Sequence, residues 1–334
     1  MAARATTPVP RPLKASRVLA FLLRVAVSAG AIPWLAGCAA PGSAALLDTS
    51  PFTERRLPAD QGQSLAALYR SERTAPLRYR VIVIPGSGCA GMGPIAERYF
   101  AGLLHAQVLV LHKPGVNTQA GTAPGNCAQH FVQADALGAW REHARAALRA
   151  DAAQRASTPA LAQVLVGISE GAELLAALAP EVPQLAGLVL LGSSGLDPLE
   201  AGTLQAQQLG ATAQWQALAD ATSSAWPDGR VLQGRSLGYW RGLWQWPLAV
   251  PLMAGPWPIL QVWGAEDGLV PASAYGRFAA RAQGRVAPYC QRRLPGADHG
   301  LQRPDGHDGV QWVWAQLEQW ARAPQQGLCA GLPE

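Results

Sequence analysis

The sequence predicts an α/β fold, a parallel sheet covered by helices on both faces, and two observations carry that prediction. From residue 78 onward, short apolar runs alternate with longer stretches of helical pattern, the rhythm of repeated strand–helix–strand units. The runs are also dense in Val, Ile and Leu with little polar alternation, as strands buried on both faces require. The predicted strands are Tyr79–Pro85, Gln107–His112, Gln163–Ile168, Leu185–Leu191, Pro258–Trp263 and Val286–Leu294, and the predicted helices are Ile95–His105, Phe131–Ala150, Glu170–Leu178, Ala272–Ala282 and Gly309–Arg322. A chain of 334 residues, 49% apolar and 15% charged, buries a sizeable core and fits one domain, taken as residues 58–334. The segment from Asp197 to Trp257 breaks the rhythm: it has no clear strand and carries six of the twelve tryptophans. Its length between two sheet strands predicts a helical cap inserted at about 197–257.

One strand-to-helix junction carries a chemical signal. Gly167-Ile168-Ser169-Glu170-Gly171 follows the apolar run Val164-Leu165-Val166 and precedes a helical stretch beginning at Ala172. In a Gly-x-Ser-x-Gly turn the glycines sit where side chains would collide, and the serine hydroxyl is held above the sheet at a helix N-terminus. A serine hydroxyl is a poor nucleophile at neutral pH, so a histidine must take its proton and a carboxylate must orient that histidine. In strand–turn–helix sites of this kind the order along the chain is serine, acid, histidine. Four of the six histidines precede Ser169, leaving His299 and His307. His299 is favoured, because Leu294-Pro295-Gly296-Ala297-Asp298-His299-Gly300 is a glycine-rich loop between the last strand and the last helix. The acid is most naturally Asp267, in the loop directly after the penultimate strand, with Glu266 and Asp197 as alternatives. For the developing oxyanion, one backbone donor is expected from the N–H of Glu170 and another from Pro85-Gly86-Ser87-Gly88-Cys89-Ala90-Gly91, at Ser87 or next at Gly88. The Glu170 side chain has two readings. It either pairs with a cation or solvent, or projects into the pocket to bind a substrate amine.

At these residues the chain resembles the α/β-hydrolase superfamily: the turn at 167–171, the acid loop at 263–271, the histidine loop at 295–300 and the oxyanion loop at 85–91. The resemblance spans roughly residues 75–322. It implies a mostly parallel, eight-stranded sheet, a cap over the catalytic face, no cofactor, and nucleophile, acid and base roles for Ser169, Asp267 and His299. The chain departs from the lipase and esterase pattern at Pro85, where many members have histidine, and at Glu170. The expected activity is hydrolysis of a carboxylic ester through an acyl-enzyme on Ser169. A peptidase or amidase acting on short peptides is the nearest alternative, and a non-catalytic envelope lipoprotein that uses the fold as a binding module is the other. The tryptophans of the cap suit either an apolar substrate group or the cap's own core.

Charge excludes one class of partner. Five of the 27 basic residues precede Cys38 and no acid does, which leaves 22 basic residues against 22 acidic ones. No basic stripe interleaved with aromatics remains, so the footprint of a nucleic-acid binder is missing. Residues 1–37 have a basic start, an apolar stretch from Val25 to Ala36 and small residues before a cysteine, the layout of a secretory signal too short to span a bilayer. The end, Leu35-Ala36-Gly37-Cys38, resembles the bacterial lipobox. That resemblance implies lipidation of Cys38 and anchorage in the cell envelope, with Ala39 pointing to the outer membrane facing the periplasm, and residues 38–57 serve as a tether. Four cysteines remain for disulfides in such a compartment. They allow three pairings; Cys89–Cys127 with Cys290–Cys329 is expected, because Cys89 and Cys127 follow successive parallel strands whose loops emerge at one sheet edge. No cysteine or histidine spacing suits a zinc site.

Overall fold

The structure is a computed structural model and describes residues 51–332. Its sheet strands are β1 (Thr53–Pro58), β2 (Ser64–Arg70), β3 (Tyr79–Ile84), β4 (Ala106–Leu111), β5 (Ala162–Ile168) and β6 (Leu185–Leu191), then, after a short hairpin of β7 (Val231–Leu232) and β8 (Arg235–Ser236), β9 (Ile259–Gly264) and β10 (Tyr289–Leu294). The helices are α1 (Gly93–Tyr99), α2 (Gln129–Ala134), α3 (Leu137–Gln154), α4 (Leu175–Leu178), α5 (Pro198–Gln208), α6 (Thr212–Thr222), α7 (Leu237–Trp244), α8 (Ala249–Ala254), α9 (Ala272–Ala282) and α10 (Val310–Trp320). The eight-stranded sheet runs in the order β1-β2-β4-β3-β5-β6-β9-β10. It is parallel from β4 to β10, and β2 pairs antiparallel with both β4 and β1.

Alternate residues of the central strands feed two cores. Ile82 and Ile84 of β3 join Trp140 and Leu148 of α3 on one face, while Val81 and Val83 join Phe100 and Val313, Trp314 and Leu317 of α10 on the other. Because both faces are covered, these strands read as continuous apolar runs. β6 and α9 keep their expected bounds, and β3, β4, β5 and β9 differ from the expected ones by a single residue at either end. β10 begins at Tyr289 rather than Val286, whose side chain is fully exposed.

Three differences matter. Residues 53–57, expected to belong to the tether, form most of β1 instead. An edge strand is held by its backbone ladder to β2 and here buries only Leu57, so its sequence carries no apolar pattern. β2 was not expected either: Ser64-Leu65-Ala66-Ala67-Leu68 has no strand-like alternation, and it is buried because its faces enter both cores, Leu65 and Ala67 on one side and Leu68 on the other. The long helix expected over 131–150 is two helices broken at Asp135 and Ala136, both with extended backbone. That break turns Asp135 towards the site.

Both expected disulfides form, Cys89–Cys127 and Cys290–Cys329, closing sequence separations of 38 and 39 residues. In the chain-entropy model loops of that length contribute about 4 kcal/mol each by restricting the unfolded chain. Replacing either pair with serines is therefore expected to cost stability of that order, read by chemical denaturation. Only the Cys89–Cys127 replacement should also lower turnover, because that bridge anchors the loop beside Ser169. An equal loss of turnover from both replacements would contradict this division.

Candidate active site

β5 delivers Ser169 at its C-terminal end. The turn that follows is a 3-10 helix over Ser169–Leu174 leading into α4, and Ser169 has a left-handed backbone with φ of +50°. That conformation is strained for a residue with a Cβ. The motif glycines make it feasible. A Cβ on Gly167 would lie 2.4 Å from the Ala172 Cα, and one on Gly171 would lie 2.2 Å from the Ile84 carbonyl oxygen. A larger residue at Gly171 would push the turn away from β3, and one at Gly167 would collide with the turn itself.

The loops after β9 and β10 bring two more groups to the serine. The Ser169 Oγ lies 3.0 Å from Nε2 of His299, and the His299 Nδ1 lies 2.9 Å from Oδ2 and 3.1 Å from Oδ1 of Asp267. Asp267 is oriented from every side. Its Oδ1 accepts the N–H groups of Leu269 and Val270 at 2.8 and 2.9 Å, and its Oδ2 accepts the Tyr275 hydroxyl at 2.9 Å. Tyr275 is itself fixed by stacking on Trp263, with ring centroids 4.4 Å apart. Burial by itself would raise the Asp267 carboxyl, but the hydrogen bond and charge of His299, with the two backbone donors, outweigh it and hold the carboxyl below its ordinary value.

The alternatives for acid and base lie elsewhere. Glu266 is exposed. Asp197 accepts the N–H groups of Leu248 and Ala249 at 2.6 and 2.8 Å, capping the start of α8. His307 pairs with Asp305 on the surface. Ser87 and Gly88 line the same cavity as Ser169, Glu170 and His299. Their loop is pinned by the Cys89 disulfide, by the Gly91 N–H donating to Ala120 O, and by the Met92 N–H donating to Nε2 of His112. Burial drives the His112 imidazole down to about 4, so it stays neutral and keeps the lone pair that accepts from Met92.

The Glu170 side chain is not free to meet a substrate amine. Its Oε1 receives Nζ of Lys113 at 2.5 Å and its Oε2 receives Arg235 at 2.8 Å, and both cations also bind Asp135. These two carboxylates and two cations, from four separate segments, form a buried network directly beside the nucleophile. Burial opposes ionisation of Glu170, but Lys113 and Arg235 more than offset it and lower its pKa, whereas for Asp135 burial prevails and its pKa is raised. No motif announced this network. The one hint was that Lys113 is one of only two lysines in the chain.

A cavity of about 1040 Å³ opens over Ser169 between the sheet and the segment joining β6 to β9. α5, α6, the β7–β8 hairpin and α7 wall it, with Trp215, Tyr239, Trp240 and Leu243 giving it an apolar lining. Glu173, one turn beyond Ser169, also lines it and was not singled out by the sequence. One of its carboxylate oxygens is buried without a hydrogen-bond partner, and burial, followed by the nearby Glu170 and Asp197 charges, pushes its pKa well up. Among the described residues no group of side chains is arranged to hold a metal ion, and no helix is long and apolar enough to cross a membrane. Cys38 and the leader lie outside the described residues.

Compared with solved structures, the chain is similar to a puromycin-hydrolyzing peptidase of Mycobacterium tuberculosis (15% identity, TM-score 0.53), covering 84% of this chain and 40% of that one. It is also similar to the esterase domain of a Rhodothermus marinus protein (20% identity, TM-score 0.52, covering 81% of this chain and 98% of that one) and to a lipase in its open form (16%, 0.53, 81% and 99%). The chain thus spans less than half of the peptidase's length and nearly all of the other two. No protein-family model matches the sequence, and no curated protein matches it. At these identities the likeness establishes the architecture: the chain has the α/β-hydrolase fold.

Proposed function

We propose that the protein is a serine hydrolase that cleaves carboxylic esters through an acyl-enzyme on Ser169. The observation that carries this reading is the continuous chain from the Ser169 Oγ through His299 to Asp267, at hydrogen-bond distances at both joints. His299 Nε2 takes the hydroxyl proton as Oγ bonds to the ester carbonyl carbon, and the Asp267 carboxylate stabilises the imidazolium. The backbone N–H of Glu170 and that of Ser87 or Gly88 receive the oxyanion. When the intermediate collapses, the carbon–oxygen bond to the alcohol breaks and His299 returns the proton to it; water then repeats the sequence and frees the acid. The esterase, lipase and peptidase among the solved structures of this shape support a hydrolase reading.

The test is labelling with a fluorophosphonate probe. Covalent modification at Ser169, located by peptide mass spectrometry and lost in Ser169→Ala, is the expected result. A folded protein that takes up no probe would overturn the proposal in favour of a binding module. A panel of p-nitrophenyl esters and aminoacyl amides then separates esterase from amidase.

The leader adds a place of work, the cell envelope, through a lipid on Cys38 in the outer membrane facing the periplasm. Cys38→Ser is expected to release soluble, non-lipidated protein from expressing bacteria, and unchanged extraction with the membrane would contradict the anchor.

A further inference from the structure

Glu173 is the one acidic side chain at the site that lacks a counter-group. Asp267 is fully bonded, Glu170 and Asp135 share Lys113 and Arg235, and Asp197 caps α8. Among the described residues no Lys or Arg is paired with Glu173, one of its carboxylate oxygens is buried and unbonded, and the residue lines the cavity above Ser169. The Trp246 indole N–H donates to its backbone carbonyl at 2.9 Å, so the turn that carries it is fixed. Glu173 is half-buried, with one oxygen shut away from solvent and unbonded; an unsatisfied carboxyl oxygen costs stability, and a ligand that reaches it from the cavity can supply the missing donor.

We infer that Glu173 selects esters that carry a protonated primary amine on the chain of the acyl or the alcohol part. This rests on the serine-hydrolase reading and names the substrate class for the same site. An ammonium brings three donors and a positive charge to a carboxyl on which the Glu170 and Asp197 charges act unfavourably. Trp215, Trp240 and Leu243 line the same cavity and offer apolar surface to a methylene chain. Ser169 and Glu173 belong to one turn, four positions apart, and both line the cavity, so a single substrate can meet both. An anion would be repelled there, and an uncharged chain would leave the carboxyl unpaired.

The experiment uses isosteric pairs that exchange a terminal NH₃⁺ for CH₃: p-nitrophenyl 6-aminohexanoate against p-nitrophenyl heptanoate, and 6-aminohexyl butanoate against heptyl butanoate. The wild-type protein is expected to favour the amine-bearing member of at least one pair by about tenfold or more in kcat/KM. In Glu173→Gln and Glu173→Leu that preference should fall to near unity, while kcat/KM for the uncharged member changes by less than about threefold and neither variant melts below wild type. Glutamine mimics a neutral carboxyl, so a preference that survives in Glu173→Gln would mean that no charge is read and would overturn the inference. An uncharged preference in both wild-type pairs would overturn it as well. Fluorophosphonate labelling in the same preparations separates the two levels: labelling at Ser169 with no Glu173-dependent preference defeats the inference alone, and absence of labelling defeats the hydrolase reading with it.

Discussion

Replacing Asp267 with asparagine is expected to lower kcat by about 10⁴-fold with little loss of stability, the scale at which a wrong histidine tautomer disables this kind of relay. The change is isosteric, and the surroundings dictate how the amide sits. The Leu269 and Val270 N–H groups both donate to Oδ1, so the amide oxygen takes that position. The amide nitrogen then faces the Tyr275 hydroxyl and Nδ1 of His299, where Oδ2 had accepted from both. A donor at that place forces Nδ1 to accept, which moves the ring proton to Nε2. With its proton pointing at Ser169, His299 has no lone pair for the hydroxyl and the first step stalls. Tyr275→Phe removes only one of several bonds to the same carboxylate, so it should cost no more than about tenfold. Steady-state kinetics on one p-nitrophenyl ester measures both variants. A loss below tenfold in Asp267→Asn would show that the carboxylate does not set the tautomer.

Lys113→Met is expected to destabilise the protein by about 3–5 kcal/mol, the cost of breaking a buried ion network by removing one partner. Lys113 is almost wholly buried, bonds both Asp135 and Glu170, and lies 4.5 Å over the Trp140 ring. Without it two buried carboxylates share the single cation Arg235, and the network carries a net negative charge. The pair should respond by holding a proton to higher pH. Asp135 is already raised with Lys113 present, burial being the first cause and Lys113 the main opposing one. A carboxyl whose folded pKa is raised loses stability as pH rises from its unfolded value to its folded one. The deficit of Lys113→Met against wild type should therefore be smallest below about pH 4 and grow as pH rises above it. Adding Asp135→Asn should recover part of the deficit at pH 7, because the remaining Glu170 and Arg235 balance. Urea denaturation at several pH values reads all three proteins, and a deficit that does not vary with pH would show that lost packing, not charge, is responsible.

The legibility of this protein in its sequence follows the distance over which its contacts act. β3 to β6 and β9 were readable because strands covered on both faces must be apolar throughout, and that requirement is local. Gly167 and Gly171 announced the turn because the collisions they avoid involve Ala172 and the neighbouring β3, contacts that any strand–turn–helix of this shape imposes. The order of Ser169, Asp267 and His299 came with the resemblance to the α/β-hydrolases, and each stands at the C-terminal end of a parallel strand.

Other features depend on partners that no local pattern names. β1 is an edge strand held by its backbone ladder, and β2 is alanine-rich with both faces in the cores, so neither sequence carries an alternating pattern. The break at Asp135 exists because its carboxylate meets Lys113 and Arg235, 22 residues before it and 100 after it. The two readings of Glu170 could be resolved only there, when folding placed both cations on its side chain. Its neighbour Glu173 is the converse case, an ordinary helical glutamate in the sequence that becomes a candidate selector of substrate because folding surrounds it with an apolar cavity and gives every nearby cation to another acid. The chemistry at Ser169 was thus determined by short-range steric rules visible in the sequence. The tertiary structure alone decided the electrostatics around it, because buried charges are balanced by partners distant along the chain.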